Sequence, residues 1–223
     1  MDPLAGSAWS TPATVAGFAR SSPNAVLMRL AADALARRGR GRALDVGCGA
    51  ARNALPLAQQ GWDVLGLDLS WPMLQAAAGR AREAGDARWL RFALAPMECL
   101  PVRDGMVDLV VAHGIWNLAP STSTFRRAVA EAARVAMPGA ALFVFTFSRN
   151  TLPPQAQPIA GEAFVFTEFS GQPQCFLTEA ELVRELEVVG FAPDSPIAEY
   201  NRPPDGGLVT GPVIYEGMFV RAR

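Results

Sequence analysis

The stretch from Arg42 to Asp68 reads as strand, glycine turn, helix and strand, and it limits the fold more than any other part of the chain. Its first segment is a short apolar run, which favours a buried strand. Gly47 and Gly49 follow, and glycine permits a tight turn close to a ligand because no Cβ intrudes. A helix that begins near Ala51 then points its unpaired N–H groups and positive dipole end toward that ligand.

An acidic residue ends the second strand of this stretch. The strand is apolar over Val64–Leu67, and Asp68 lies at its carboxyl end, 21 positions after Gly47 (68 − 47). A carboxylate there accepts hydrogen bonds from both hydroxyls of a ribose. The pattern therefore predicts a ligand that contains a ribose.

Two families of binding protein use this layout. The dinucleotide fingerprint needs a third glycine where this chain has Arg52. The other pattern is acid-x-Gly-x-Gly-x-Gly, which Asp45, Gly47 and Gly49 match and which Ala51 breaks at its last glycine. The stretch thus resembles motif I of the class I S-adenosylmethionine (SAM)-dependent methyltransferases. The alternative is any α/β protein with a glycine-rich first turn.

Composition limits the partners and the chemistry. The 223 residues suit one α/β domain, and the apolar half of the chain can build a sizeable core. The net charge is −1, which lacks the basic footprint of a nucleic-acid binder. All 20 basic residues are arginine, so mechanisms that need a lysine Schiff base or a lysine general base are excluded.

Cysteine usage and the N-terminus predict a cytoplasmic protein. Cys48, Cys99 and Cys175 are odd in number and fit no zinc or disulfide spacing, so we expect reduced thiols and no metal site. The first residues lack a basic region followed by an apolar run, so no signal peptide is expected. No run of about 18 apolar residues occurs, so no membrane span is expected.

Strands and helices alternate across residues 42–147, which predicts a parallel sheet with helices on both faces. The expected fold is a single Rossmann-like, doubly wound α/β domain. The resemblance implies seven strands, with the last one antiparallel. The predicted parts are an N-terminal arm and helix (1–40), a SAM-binding core (42–147), a candidate lid insertion (148–177), and a C-terminal helix and strand pair (178–223).

Several boundaries are predicted from local signals. Residues 1–20 read as a loose arm whose aromatic side chains serve as packing anchors or as part of a lid. A helix is expected over 22–38, with Ser22 as its N-cap. The crossover helix is expected over 51–60, and the fifth strand over 141–147 after a turn at Pro138 and Gly139.

The region after the fifth strand interrupts the pattern. Its prolines, glycines and aromatic residues suggest an insertion that covers a site, because long structureless loops are uncommon in compact domains. Thr178 and Glu181 form a capping box that opens a helix through Val189. Residues 197–202 and 213–221 read as two final strands, antiparallel to each other and joined by loop 203–212.

The resemblance extends beyond motif I and assigns roles along the ligand. The loop Ala95–Pro101 and the segment after it look like those of ubiquinone-biosynthesis methyltransferases, and Arg52 with Asn53 is similar to the pair in tellurite-resistance and thiopurine-type members. Arg52 is accordingly included among the cofactor-binding residues. The resemblance places Asp68 on the ribose hydroxyls. It also places four residues along the amino-acid portion of SAM: Asp45, Gly47, Cys48 and Gly49. Of these, Cys48 should contribute mainly its backbone.

The adenine contacts follow from the same resemblance. Leu69 should lie beside the ring, and Met73 should pack on its face, although a methionine on an apolar helix face is commonly a core residue. Met97 should offer its backbone N–H to the ring. Many relatives carry an aspartate where this chain has Pro96, so either Glu98 replaces it or packing and backbone alone hold the adenine.

Few residues qualify for chemistry. The only histidine, His113, is expected at the carboxyl end of the fourth strand, where ligands bind in open α/β sheets. It is a candidate to contact SAM, orient the acceptor or take its proton; the alternative is a hydrogen-bonded residue in the pocket wall. Trp116 and Asn117 are expected to line the acceptor pocket or to pack below it, and Cys175 is a candidate pocket thiol. Asp108 lies at the opposite strand end and is read as structural.

The predicted function is methyl transfer from SAM to a small molecule, which leaves S-adenosyl-L-homocysteine (SAH). The absence of an obvious base favours an easily ionised acceptor such as a thiol or an acidic hydroxyl, with oxygen, sulfur and nitrogen all open. The segment after the fourth strand lacks the Asn/Asp-Pro-Pro-aromatic signature of nucleic-acid amino methylation. The alternatives are a SAM-binding sensor or accessory protein without turnover and a nicotinamide-dependent oxidoreductase.

Overall fold

Strands and helices follow one another along most of the chain. The structure is a computed structural model, and it describes residues 2–85, 88–201 and 211–222. The α-helices within these ranges are α1 (Pro12–Arg20), α2 (Ala25–Arg38), α3 (Ala54–Gln60), α4 (Trp71–Glu83), α5 (Thr122–Val135) and α6 (Glu179–Val188). The strands are β1 (Arg42–Val46), β2 (Asp63–Asp68), β3 (Leu90–Leu94), β4 (Val107–His113), β5 (Ala136–Phe147), β6 (Val165–Phe166), β7 (Gln174–Cys175), β8 (Phe191–Pro193), β9 (Ala198–Asn201) and β10 (Val213–Arg221).

The central sheet confirms the predicted fold class. Within the described residues it has eight strands in the order β3-β2-β1-β4-β5-β10-β8, with β9 also paired to β10. Strands β1 to β5 are parallel to one another, and β10 runs antiparallel to β5. The chain moves outward from β1 in one direction through β2 and in the other through β4. This switch point creates a crevice at the carboxyl ends of β1 and β4.

Helices cover both faces of the sheet, as parallel strands require. One apolar cluster packs α2, α3 and α4 against one face, and the other packs α5, α6 and the insertion against the opposite face. Strand β4 is buried on both sides, which explains its near-continuous apolar sequence. No helix in the described ranges is long and apolar enough to cross a bilayer.

Two helices begin later than the sequence predicts. Helix α2 is capped by Asn24, whose Oδ1 accepts the N–H of Leu27 at 2.9 Å, and Ser22 lies outside it. Helix α3 begins at Ala54 because Ala51 has a φ of 60°, a left-handed conformation that an α-helix cannot contain. The prediction of helix over 22–38 and 51–60 was therefore wrong at both first turns.

The N-terminal arm, which we define as residues 2–20, is helical, and the prediction of a loose segment was wrong. A 3-10 turn at Ala8–Ser10 precedes α1. Thr11 caps α1 through its side chain, and Pro12 occupies the first helical position, where its missing N–H costs nothing. These local signals suffice to form a helix although the arm contains no fully buried residue among 2–20.

Strand β5 begins at Ala136, so the predicted turn at Pro138 and Gly139 lies inside the strand. The pairing of β5 with β4 shifts register between Val107 and Leu109, and such an irregularity accommodates a proline in a sheet. The short strand β8 was missed because three residues carry too little pattern. Both predicted final strands are present as β9 and β10. Position 202 of the first predicted strand and positions 203–210 of the predicted connecting loop lie outside the described residues.

The insertion is more ordered than predicted. Strands β6 and β7 form an antiparallel pair, and Phe164 and Phe166 are buried in the main core. Phe169, in contrast, is half-buried; it packs edge-on against Phe147 with ring centroids 5.3 Å apart. The capping box of α6 is present as predicted. Part of the candidate lid is thus core.

We expect Phe164→Ala to lower the free energy of unfolding by about 3 to 5 kcal/mol, because it empties a buried aromatic site. Urea denaturation measures the change. The matched control is Phe169→Ala in the same insertion, for which we expect a clearly smaller loss. Equal small losses for both variants would show that the insertion does not contribute to the core.

Candidate functional site

The glycine turn after β1 forms the floor of the crevice. Gly47 and Gly49 have φ values of 71° and 53°, which side chains rarely adopt. A Cβ on Gly47 would lie 2.7 Å from the Cδ1 atom of Ile115, so the loop after β4 packs directly on this backbone. The backbone conformation therefore disfavours a side chain at both glycines. At Gly47 the close contact with Ile115 also leaves no room for a Cβ.

Ala51 follows the turn in a left-handed conformation. Among the described residues it is the only non-glycine with a positive φ, and it is fully buried. The conformation costs an alanine about 1 to 2 kcal/mol. The backbone geometry of the missing last glycine is thus retained, at a cost, by a residue with a side chain. Strain of this kind persists where surrounding structure imposes it.

Asp68 joins the ends of β1 and β2. Its Oδ2 accepts the N–H of Gly49 at 2.8 Å, and its Oδ1 accepts the N–H of Ser70 at 2.8 Å. Burial raises the pKa of this carboxyl, while these backbone N–H groups oppose the rise. Each oxygen has a second lone pair, so the group retains acceptors for two hydroxyls. The predicted ribose contact remains a prediction that this geometry permits, with half-buried Leu69 next in the chain.

Asp45 lies buried below the turn with one oxygen that has no hydrogen-bond partner. The exposed fraction of Asp45 is 2%, and Oδ2 is the orphan. Burial raises its pKa to about 7, Arg52 opposes the rise, and the charge of Asp68 adds to it. An orphaned carboxylate oxygen is costly unless a donor or a cation reaches it. Asp45 therefore fits a ligand that carries an ammonium group.

The remaining residues of the turn act through packing and backbone. The Sγ of Cys48 lies 2.9 Å from the position that a Cβ on Gly66 would occupy, so the side chain points away from the crevice. Burial raises the pKa of the Cys48 thiol. The predicted backbone role of Cys48 fits this orientation. Met73 is buried, and its Sδ lies 3.8 Å from the Cβ position of Gly49. It therefore lies at the turn, and contact with adenine remains a prediction.

The loop after β3 reaches the same edge of the sheet. Ala95 donates its N–H to the carbonyl of Asp68 at 3.2 Å, which places the next residues beside the strand end. Pro96, Met97 and Glu98 are all half-buried. The fold thus brings the predicted adenine residues to the ribose acid, and their adenine contacts remain predictions.

The N-terminal arm packs over the crevice at several points. Asp2 accepts the N–H of Trp71 through Oδ1 at 3.0 Å, and the hydroxyls of Ser10 and Ser70 lie 3.0 Å apart. Farther along, the ring of Phe18 lies 3.4 Å from the Cβ position of Gly49. The arm therefore touches the crevice beside Asp68 and at the glycine turn. Both predicted roles of its aromatics, packing and covering, fit this position.

His113 lies at the carboxyl end of β4, as predicted, within a polar group that we call the His113 cluster: Asn24, Arg52, His113 and Glu216. Arg52 Nη2 is 2.8 Å from His113 Nδ1, and Asn24 Nδ2 is 3.2 Å from His113 Nε2. Asn24 also donates to Glu216 Oε1 at 2.6 Å. The imidazole stacks on Phe145 with centroids 4.1 Å apart. These contacts hold the imidazole ring in one plane. A catalytic role for His113 remains a prediction.

The predicted pocket residues are buried in this structure, which agrees with the alternative that Trp116 packs below the acceptor pocket. Trp116 and Asn117 are 1% and 2% exposed, and Cys175 is completely buried. The Cys175 thiol donates to the carbonyl of Ala119 at 3.4 Å, and burial raises its pKa to about 12. These side chains lie in the core because the insertion packs onto the sheet. They do not line an open pocket in this structure.

Asp108 is structural, as the sequence indicates. It lies at the amino end of β4, accepts a hydrogen bond from Arg38 Nη1 at 3.0 Å and accepts the N–H of Arg42 at 2.9 Å. It therefore fastens the end of α2 to the sheet, away from the crevice.

Sequence reasoning missed two members of the His113 cluster. The predicted helix over 22–38 contains Asn24 and the predicted strand over 213–221 contains Glu216, and neither pattern indicates a role in the site. Glu216 is 5% exposed in β10. A lone carboxylate amid apolar strand residues was the available signal. Its partners were not visible, because they come from α2 and β4.

Comparison with known proteins identifies the central segment. Residues 44–144 match the model of a methyltransferase domain family. A ubiquinone/menaquinone biosynthesis C-methyltransferase of Acidiphilium cryptum is 39% identical over 104 residues, which are 46% of this chain and 40% of the relative. A malonyl-[acyl-carrier protein] O-methyltransferase of Salmonella typhimurium is 34% identical over 150 residues, 63% of this chain and 56% of the relative. The chain thus spans about half the length of such relatives.

Solved structures share the fold. A SAM-dependent methyltransferase of Methanosarcina mazei aligns with a TM-score of 0.69 at 23% identity, covering 82% of this chain and 93% of that one. A Burkholderia thailandensis 1,6-didemethyltoxoflavin-N1-methyltransferase, solved with its substrate and SAH, aligns with a TM-score of 0.65 at 20% identity, covering 88% and 78%. Identities this low support the fold alone.

We expect Asp45→Asn to gain stability over the wild type as pH rises. The folded pKa of about 7 lies above the ordinary value of 3.8, so between those pH values the unfolded chain releases this proton while the folded protein keeps it, and the wild type loses stability as pH rises. The difference in unfolding free energy between variant and wild type should grow by roughly 2 kcal/mol from pH 5 to pH 8. Urea denaturation at both pH values measures it.

Asp33→Asn, an exposed site on α2, is the control and should show no such growth. A pH-independent difference for Asp45→Asn would mean that Asp45 is already ionised in the folded protein at pH 5.

Proposed function

Residues 44–144 belong to the methyltransferase-domain family, and from that premise we propose that this protein is a SAM-dependent methyltransferase of a small molecule. The observation that carries the proposal is the pair of carboxylates around the glycine turn. Asp68 retains acceptor positions for a ribose, and Asp45 presents an orphaned oxygen that suits an ammonium group. A nucleoside joined to an amino acid, which is what SAM is, offers both.

The chain's residues divide the cofactor between them in this proposal. Asp45 and the turn at Gly47 and Gly49 hold the amino-acid portion, with Arg52 beside it. Asp68 holds the ribose hydroxyls. The adenine lies between the start of α4 and the loop after β3, where Leu69, Met73, Pro96 and Met97 lie at or near the crevice. Since Pro96 offers no side-chain acceptor, packing and backbone N–H groups bind the adenine.

SAM supplies a methyl group activated on a sulfonium, so the protein has to align a nucleophile in line with it and exclude water. His113 is positioned at the strand end for the acceptor side. The close contact of the arm with the turn reduces solvent access to the floor of the crevice. A strong base is not required for an acceptor that ionises near neutral pH.

The acceptor is proposed to be a small molecule with an oxygen, sulfur or nitrogen nucleophile. The net charge of −1 argues against a nucleic acid. The relatives of this chain include a norajmaline N-methyltransferase and a 2-heptyl-1-hydroxyquinolin-4(1H)-one methyltransferase. We expect the protein to act in the cytoplasm, as its cysteine usage suggests.

A SAM-binding sensor or accessory protein without turnover is the second candidate. Strained Ala51 in place of the last motif glycine favours it, because the substitution departs from the family pattern at the ligand. Transfer of label from methyl-labelled SAM to any member of a panel of thiols, phenols and amines would exclude it. The dinucleotide alternative loses support, because residues 44–144 match methyltransferases.

We expect Asp68→Ala to weaken the binding of SAM and SAH at least about tenfold, because it removes two acceptors for the ribose hydroxyls. Isothermal titration calorimetry measures both affinities. The control is Asp63→Ala, at the amino end of the same strand, where the side chain pairs with Arg91. Its affinities should match the wild type.

Two outcomes would count against the proposal. Wild-type affinity in Asp68→Ala would remove the ribose contact. Absence of SAM and SAH binding to the wild-type protein at millimolar concentrations would remove the proposed function.

A further inference from the structure

An arginine of α4 reaches the backbone of the turn just before strained Ala51. Arg80 Nη1 donates to the carbonyl of Ala50 at 2.5 Å. Ala50 is fully buried, so this carbonyl has no access to water and depends on a donor from the protein. The bond is charge-assisted, and such bonds are about twice as strong as those between neutral groups. Arg80 therefore supplies an interaction that the turn cannot obtain from solvent.

The other end of the same peptide unit is also held. The N–H of Ala51 donates to the carbonyl of Cys48 at 3.0 Å. Because a peptide bond is planar and trans, its carbonyl and its N–H point in opposite directions, so bonds at both ends fix the rotation of the plane. That rotation determines ψ of Ala50 and φ of Ala51. The two contacts together thus define the left-handed conformation of Ala51.

Rotation of this peptide plane by half a turn would relieve the strain. It would move φ of Ala51 from 60° to about −120°, a value that L-residues adopt readily. The strain of a left-handed alanine is similar in size to the net free energy of one backbone hydrogen bond, so the bond to Cys48 does not hold the plane by itself. The contact from Arg80 decides the orientation of the peptide.

The orientation matters because Ala51 lies between the glycine turn and α3. Two positions before it, Gly49 donates its N–H to Asp68. Directly after it comes Arg52, whose charge acts on Asp45. Rotation at Ala51 would change the direction in which the chain leaves the turn and would shift Arg52 relative to Gly49. The residues assigned to the amino-acid portion of SAM would then lose their spacing.

We propose that Arg80 is a positioning residue for cofactor binding: it holds the peptide between Ala50 and Ala51 so that the glycine turn keeps the shape that accepts SAM. In this role, which rests on the proposed function, Arg80 acts through the backbone of the turn. Arg80 is needed because position 51 carries a side chain. A glycine at that position adopts the same conformation without strain, so it makes the turn depend less on Arg80.

Calorimetric titration of the whole chain with SAH tests this role without knowledge of the methyl acceptor. We expect Arg80→Met, which keeps much of the side-chain length and removes the donors, to bind SAH about tenfold more weakly. Arg82→Met, at an exposed position of the same helix, is the matched control and should retain wild-type affinity. Arg80→Lys keeps a cationic donor and should lose less affinity than Arg80→Met.

A second substitution separates positioning of the turn from a general loss of stability. Ala51→Gly removes the strain, so we expect it to improve SAH binding at least about threefold more in the Arg80→Met background than in the wild type. Without the coupling, glycine would change both affinities by the same factor. Circular dichroism at the assay temperature establishes that each variant is folded.

The failures are distinguishable. If wild-type protein does not bind SAH, the proposed function and the role of Arg80 both fall. If it binds SAH but Arg80→Met binds within about twofold of the wild type, or if Ala51→Gly changes both backgrounds equally, the role of Arg80 alone is overturned. Should Arg80→Met fail to fold, Arg80→Lys takes its place in the same comparison, with the same criterion for Ala51→Gly.

Discussion

The hydrogen bond from the Gly49 N–H to the Asp68 carboxylate is the interaction on which the site depends. It ties the turn after β1 to the end of β2, at 2.8 Å, beside the switch point of the sheet. The second oxygen of Asp68 holds the N–H of Ser70, which caps the next helix. One carboxylate thus sets the spacing of the turn and the start of α4. Each oxygen of Asp68 keeps a second lone pair for a ligand.

Two carboxylates near this turn are buried, and their partners differ. Asp45 is buried with an orphaned oxygen, and buried Glu216 accepts a hydrogen bond from Asn24. Buried carboxylates are costly unless donors or cations accompany them. Arg52 contacts His113, and its charge opposes the rise in the pKa of Asp45.

Packing explains where the sequence interpretation was wrong. Aromatic residues in an irregular, proline-rich region suggested a lid, yet Phe164 and Phe166 fill the core under that region. Conversely, the serine, threonine, proline and glycine residues of the arm suggested a loose segment, yet the arm contains a helix and packs over the crevice. The residue pattern of a segment shows how apolar that segment is. It does not record which surface the segment meets, because that surface comes from distant parts of the chain.

The sequence by itself determined the fold class and the motif positions. Glycine at 47 and 49 and the acid at 68 are local requirements of backbone conformation and strand-end chemistry, so they can be read from spacing. Only the tertiary structure decided that Asn24 and Glu216 join His113, and that Cys175 lies in the core. These contacts join α2, β4 and β10, which lie far apart along the chain. Their proximity follows from the strand order and the packing of helices, neither of which any single segment encodes.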